Sequence, residues 1–158
     1  MTALRELVDD FLAQRRIAVA GVSRTEANAP ANLIFRKLRD AGHEAFPVNP
    51  GAAEVEGATA YPELAAIPGG VDAVVVATPP AATERVVRDA VDLGVRRVWM
   101  HRAFGEGSVS AEAVAYCREH DVRLIAGGCP MMYCEPVDFG HKCIRFVLGL
   151  TGGLPKAR

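Results

Sequence analysis

The residues best suited to chemistry sit in five short segments of Gly, Pro and small polar side chains. They are Gly21-Val22-Ser23-Arg24, Val48-Asn49-Pro50, Thr78-Pro79-Pro80, His101-Arg102 and Gly127-Gly128-Cys129-Pro130. The first carries the most. Gly21 permits a tight turn and close backbone approach, Ser23 offers a hydroxyl, and Arg24 offers a fork of donors for a phosphate. A helix beginning near Pro30 would aim unpaired amides and its positive end at the same anion. The expected chemistry is phosphate capture by backbone NH groups and a guanidinium.

Two features disfavour NAD as the owner of that phosphate. The G-x-G-x-x-G fingerprint is missing, because position 23 is Ser and Ala27-Asn-Ala-Pro-Ala31 follows. Asn49-Pro50 also stands where a dinucleotide site wants an acidic partner for the ribose hydroxyls. An NAD(P)-binding oxidoreductase is therefore the lesser alternative. His101 with Arg102 could pair a group titrating near pH 6.5 with an anion clamp, but no Ser or Cys nucleophile stands beside them in a motif.

Cys129, Cys134, His141 and Cys143 form a Cys-x4-Cys-x6-His-x-Cys series that suggests a third reading, a zinc-dependent interaction protein. Helical spacing speaks against it. Phe139, Cys143, Val147 and Leu150 fall on one apolar stripe, which predicts a core position for Cys143. His141 then points about 200° away around the helix, so the two cannot readily share an ion. Cys117 shares a face with Val114 and is expected to be buried, whereas Cys129 follows Gly127-Gly128 at a strand end.

These groups need a scaffold, and the bulk numbers allow one domain. Of 158 residues half are hydrophobic, and 18 basic residues face 19 acidic ones for a net charge of −1. Without basic runs, a nucleic-acid protein held mainly by phosphate neutralisation is not expected. No apolar stretch approaches the roughly 20 residues that span a bilayer. The charged N-terminus is not read as a signal peptide, and four spread cysteines suit reduced thiols in a cytoplasm.

Periodicity supplies the elements. Helices are expected at Thr2–Leu12, Pro30–Ala41, after the Thr78-Pro79-Pro80 break to about Leu93, Ser110–His120 and Val137–Leu150. Strands are expected at Ile17–Ala20, His43–Val48, Asp72–Ala77, Arg97–Met100 and Val122–Ala126, with a short one at Ala58–Tyr61. The alternation predicts a Rossmann-like α/β fold, a doubly wound parallel sheet in three α/β/α layers. Residues 1–151 form one domain in this reading, and 152–158 form a short tail that frays. Ligands of such sheets bind beyond the carboxyl ends of the strands, where the five segments fall.

Taken together, Ile17-Ala-Val-Ala-Gly-Val-Ser-Arg24, Leu38-x-x-x-Gly42, Pro47-Val-Asn-Pro50 and Val74-Val-Val-Ala-Thr-Pro-Pro80 resemble the CoA-binding domain family. That family includes the N-terminal domain of the succinyl-CoA synthetase alpha subunit and small stand-alone bacterial and archaeal proteins. The resemblance runs from about Leu4 to Leu150. It implies a domain that cradles the ADP portion of coenzyme A or an acyl-CoA. Gly21, Ser23 and Arg24 would meet the phosphates, Val22 between them would belong to the same cofactor site, and Val48, Asn49 and Pro50 would border the adenosine. Thr78, Pro79 and Pro80 would line the approach of the pantetheine arm. Trp99-Met100-His101 matches a Trp-x-Gln segment of the stand-alone members, with His101 in place of Gln.

The second domain that supplies the synthetases with a phosphorylated histidine has no counterpart here. The resemblance therefore implies a non-enzymatic binding module, such as a carrier, sensor or regulatory unit. It leaves the oligomeric state open, and a homodimer is compatible with it. Cys129, placed near a bound thiol cofactor, or Cys134 would then be the thiol to form a reversible mixed disulfide with CoA.

Overall fold

The computed structural model describes residues 3–157. Helix α1 (Leu4–Leu12) leads into β1 (Arg16–Ala20), α2 (Pro30–Asp40) and β2 (Glu44–Val48). A hairpin of β3 (Glu54–Val55) and β4 (Ala58–Thr59) precedes β5 (Ala73–Val76). Then come α3 (Pro80–Asp92), β6 (Arg97–Met100), α4 (Ala111–Glu119), β7 (Arg123–Ala126), α5 (Phe139–Thr151) and β8 (Lys156–Ala157).

The main sheet runs in the order β2-β1-β5-β6-β7-β8. Its first five strands are parallel, and β8 is antiparallel to β7. Strand β5 is wholly buried, and β1 is buried beyond its first residue, as strands covered on both faces must be. Alternate residues feed two cores. Ile17, Val19, Val75, Trp99 and Ile125 face α1, α2 and α5. Ala18, Ala20, Val74, Val76, Val98 and Leu124 face α3 and α4. The Rossmann-like α/β fold and its three layers are as the periodicity predicted.

Arg97 donates to Asp10 of α1 at 2.8 Å, and Arg123 forms an ion pair with the same carboxylate at 3.0 Å, tying that helix to the starts of β6 and β7. Helix α2 opens with Pro30 at its first position and ends where Gly42 takes φ +97°. Ser110 caps α4 by accepting from the Ala113 amide, a role that residue type performs well.

Four expectations need correction. Where a frayed tail was expected, residues 152–157 fold back and add β8 to the sheet edge, Arg158 lying outside the described residues. Gly128 makes room for it, since a Cβ there would overlap Pro155. The sheet is thus mixed rather than wholly parallel. The short strand expected at 58–61 belongs to the separate β3–β4 hairpin, with Tyr61 bridging Val48. Finally, the stripe expected to bury α5 faces outward. Phe139 is 82% exposed, Leu150 73%, and Cys143 is exposed. The helix packs instead through Ile144 and Leu148. Its sequence, Phe-Gly-His-Lys-Cys-Ile-Arg-Phe-Val-Leu-Gly-Leu-Thr, offers apolar residues on more than one face, so periodicity could not choose between them. Thr2, expected in the first helix, lies outside the described residues.

Candidate functional site

Strand order reverses direction between β1 and β5: the chain steps from β1 outward to β2, then returns to the other side of β1. Loops leaving two such strands diverge and open a crevice. A cavity of about 590 Å³ occupies it. Ala20, Gly21 and Val22 come from the end of β1, Val48, Asn49 and Pro50 from the end of β2, and Thr78 and Pro79 from the end of β5. One face of α3 completes the wall with Ala82, Arg85, Val86 and Asp89, spaced i, i+3, i+4 and i+7.

Backbone approach explains the first glycine. Gly21 has φ +102°, and a Cβ there would overlap the Ala77 carbonyl. The loops after β1 and β5 therefore touch, and no other residue type lets them. Asn49 ties the third loop in. Its Nδ2 donates to Val22 O at 2.8 Å, and its Oδ1 accepts from Gly51 N at 2.7 Å. Arg24 reaches across as well, donating from Nη1 to Gly51 O at 3.0 Å.

The loop after Gly21 partly satisfies itself. Ser23 N donates to Asn32 Oδ1 at 2.7 Å, and Asn32 Nδ2 returns a bond to Ser23 O at 2.8 Å. Asn32 is 1% exposed, so this exchange is sheltered from water. Ser23 Oγ accepts from the Thr25 and Glu26 amides at 3.2 and 3.0 Å. Among the described residues the Val22 and Arg24 amides have no such acceptor. The loop thus leaves fewer donors open than the sequence suggested: two free amides, the Ser23 hydroxyl and the Arg24 guanidinium.

Of the residues singled out from the sequence, Gly21, Val22, Val48, Asn49, Pro50, Thr78 and Pro79 line the cavity. Ser23 and Arg24 continue from the same loop without lining it. Pro80 is the first residue of α3. His101 and Cys129 are elsewhere. His101 is 9% exposed, and burial, aided by His141, pushes its pKa down to about 4, so the ring is neutral at physiological pH. Cys129 packs with Trp99 and Met132 in the core on the α1, α2 and α5 side. Burial raises its thiol to about 11 and Cys117 to about 12, and it raises Cys134 as well. A thiol so rarely ionised is a poor nucleophile. Cys143, taken as a core residue, is the exposed one. No group of three or more His, Cys, Asp or Glu among the described residues is arranged to hold a metal.

Sequence reasoning missed Pro62, Glu63, Leu64, Arg85 and Asp89. The i, i+3, i+4, i+7 face of α3 was legible, but which way it turned was not.

A family model described as a CoA binding domain matches residues 15–135. This chain belongs to that family. The α subunit of ADP-forming acetate–CoA ligase II from Pyrococcus furiosus is 30% identical to this CoA-binding domain over 133 residues, which is 78% of the chain and 28% of the ligase subunit. The Archaeoglobus fulgidus ADP-forming acetate–CoA ligase II is 27% identical over 123 residues, 73% of the chain and 18% of the ligase. The CoA-binding domain thus spans less than a third of either relative.

Among solved structures, a hypothetical protein from Pyrococcus horikoshii superposes with a TM-score of 0.77 at 26% identity, covering 85% of this chain and 92% of that one. The dinucleotide-forming acetyl-coenzyme A synthetase 1 of Ca. Korarchaeum cryptofilum superposes with a TM-score of 0.59 at 25% identity, over 69% of this chain and 25% of the synthetase. No helix among the described residues is long and apolar enough to cross a membrane.

Proposed function

We propose that this chain binds coenzyme A or an acyl-CoA through its ADP portion, in the cavity between the ends of β1, β2 and β5. The observation that carries the reading is the convergence of those three strand ends on one cavity of about 590 Å³, within the range of small-molecule sites. The diphosphate lies over the Gly21–Arg24 loop, where the Val22 and Arg24 amides and the Arg24 guanidinium are available. Val48, Asn49 and Pro50 border the adenosine. Thr78 and Pro79 guide the pantetheine arm, and Arg85 is the cation of the cavity wall itself.

The role proposed is that of a carrier, sensor or regulatory module. The titratable side chains in the cavity wall are Glu63, Arg85 and Asp89, with no Cys, Ser or His among them. That set offers no activated nucleophile for acyl or phosphoryl transfer. His101 and Cys129, the two groups with reactive chemistry nearest in sequence to the strand ends, are buried outside the wall.

Calorimetry with CoA, dephospho-CoA, NAD and NADP tests the reading. CoA is expected to bind most tightly, and Arg85→Ala to weaken it about tenfold, the loss of a charge-assisted hydrogen bond. Equal affinity for CoA and NAD would end the proposal.

A further inference from the structure

We propose that Arg102, Arg118 and Lys156 form a second binding site, for a small oxyanion carrying two or more negative charges. The site is a groove of about 380 Å³ between α4 and the β7–β8 edge. It shares no wall residue with the cavity at the ends of β1 and β5. Its other walls are Val and Ala side chains, and no carboxylate lines it. Ala111, Val114, Ala115 and Arg118 present one face of α4, so small residues leave the groove open beside the guanidinium. Glu112, on the same helix, accepts from Ser110 Oγ at 3.1 Å at the helix cap.

Arg102 is held in place. Its amide donates to Gly128 O at 2.9 Å. The backbone of Gly107 lies so close to its stem that a Cβ there would stand 2.6 Å from Arg102 Cβ. The guanidinium then runs past Gly127, where a Cβ would sit 3.7 Å from Nη2. Both glycines have positive φ, +61° and +99°, so neither position readily takes a larger residue. An arginine fixed this way loses little further freedom on binding an anion.

None of the three cations enters an ion pair among the described residues, whereas Arg15, Arg16, Arg36, Arg88, Arg97 and Arg123 all do. In a chain of net charge −1 this is a local excess of positive charge around one groove. Lys156 reaches the groove only because β8 pairs with β7. Three cations call for more than one negative charge, which phosphate esters and polycarboxylates both supply.

The test uses the whole chain with pyrophosphate and, separately, citrate, against sodium chloride at matched ionic strength. Thermal unfolding and calorimetry are the readouts. At least one of the two anions is expected to raise Tm in a saturable way that chloride does not reproduce. If only one does so, and its effect is diminished in Arg118→Gln and Lys156→Gln, its class is the ligand chemistry of this groove. Arg102→Gln is expected to weaken that binding about tenfold, and Arg118→Gln and Lys156→Gln about three- to fivefold each, because the latter two are exposed. CoA affinity should stay unchanged in all three, which separates this site from the other cavity. Should Arg102→Gln fail to fold, the two exposed positions carry the test. No saturable effect from either anion, or binding undiminished in Arg118→Gln and Lys156→Gln, overturns the proposal.

Discussion

Asn49 Nδ2 donates to the Val22 carbonyl at 2.8 Å, joining the end of β2 to the loop after β1 across the mouth of the cavity. A carboxylate at this position could not make that bond. An aspartate in place of Asn49 would set an oxygen against the Val22 oxygen while keeping the bond from Gly51 N. Asn49→Asp is therefore expected to lower stability by about 1–3 kcal/mol. It should weaken CoA more than Asn49→Ala does, because it also adds a negative charge beside a phosphorylated ligand. Urea titrations at unchanged m-value and calorimetry check both parts. If the aspartate variant matches wild type in stability, the bond contributes nothing.

Gly21 answers to the same contact between loops. Gly21→Ala brings a Cβ into the Ala77 carbonyl and demands φ +102° of a residue with a side chain. The expected cost is about 2–4 kcal/mol, at the upper end for single substitutions. CoA affinity should fall with it, since the loops after β1 and β5 must separate. The intrinsic fluorescence of Trp99, the sole tryptophan and fully buried, reports the unfolding. A variant as stable as wild type would show that the two loops do not meet.

His101 makes stability depend on pH. Burial, with the charge of His141, holds its folded pKa at about 4, below the unfolded value near 6.5. Between those values the unfolded chain binds the extra proton, so stability rises with pH across the window and levels off above it. The slope is about 1.4 kcal/mol per pH unit, and the whole effect about 3 kcal/mol. Denaturation between pH 5 and 6.5 lies above the range where the carboxylates titrate, and the difference between wild type and a His101 variant across it isolates this ring from the other histidines. His101→Gln should flatten the curve. A wild-type curve already flat there would contradict the burial of the ring.

The four cysteines should divide by exposure. Cys143 is expected to react rapidly with an aromatic disulfide reagent in the native protein. Cys117, Cys129 and Cys134 should react only as the chain unfolds, being buried with raised thiol pKa values. Counting thiolate release before and after adding denaturant checks this, and mass spectrometry identifies the labelled residue. Treatment with CoA disulfide should accordingly leave Cys129 and Cys134 unmodified, contrary to the mixed disulfide that the sequence suggested. Rapid labelling of Cys129 would restore that idea.

How much of the molecule was legible depended on how local its cause was. Strand runs such as Ala73–Val76, the Pro30 start of α2 and the Gly42 stop state their conformation in their own residues, because buried strands need apolar runs and helix ends need particular backbones. The loops at the carboxyl ends of β1, β2 and β5 follow from that alternation, and seven of the residues named from them line the cavity. What lay beyond the sequence was the choice of face where a helix is apolar on more than one side, and the contacts between distant segments. The outward stripe of α5 looked as suitable for a core as the Ile144 and Leu148 side, and only the neighbours already in place decided between them. His101 and Cys129 sit at the ends of β6 and β7, beyond β5 from the β2–β1 side of the sheet, and closure of the surrounding loops buries them away from the cavity. Pro155 against Gly128, Arg102 against Gly107 and Arg85 on the cavity wall join residues whose separation in the chain, or whose turn about a helix axis, no local rule specifies. Periodicity says which residues share a face; packing alone says what that face meets.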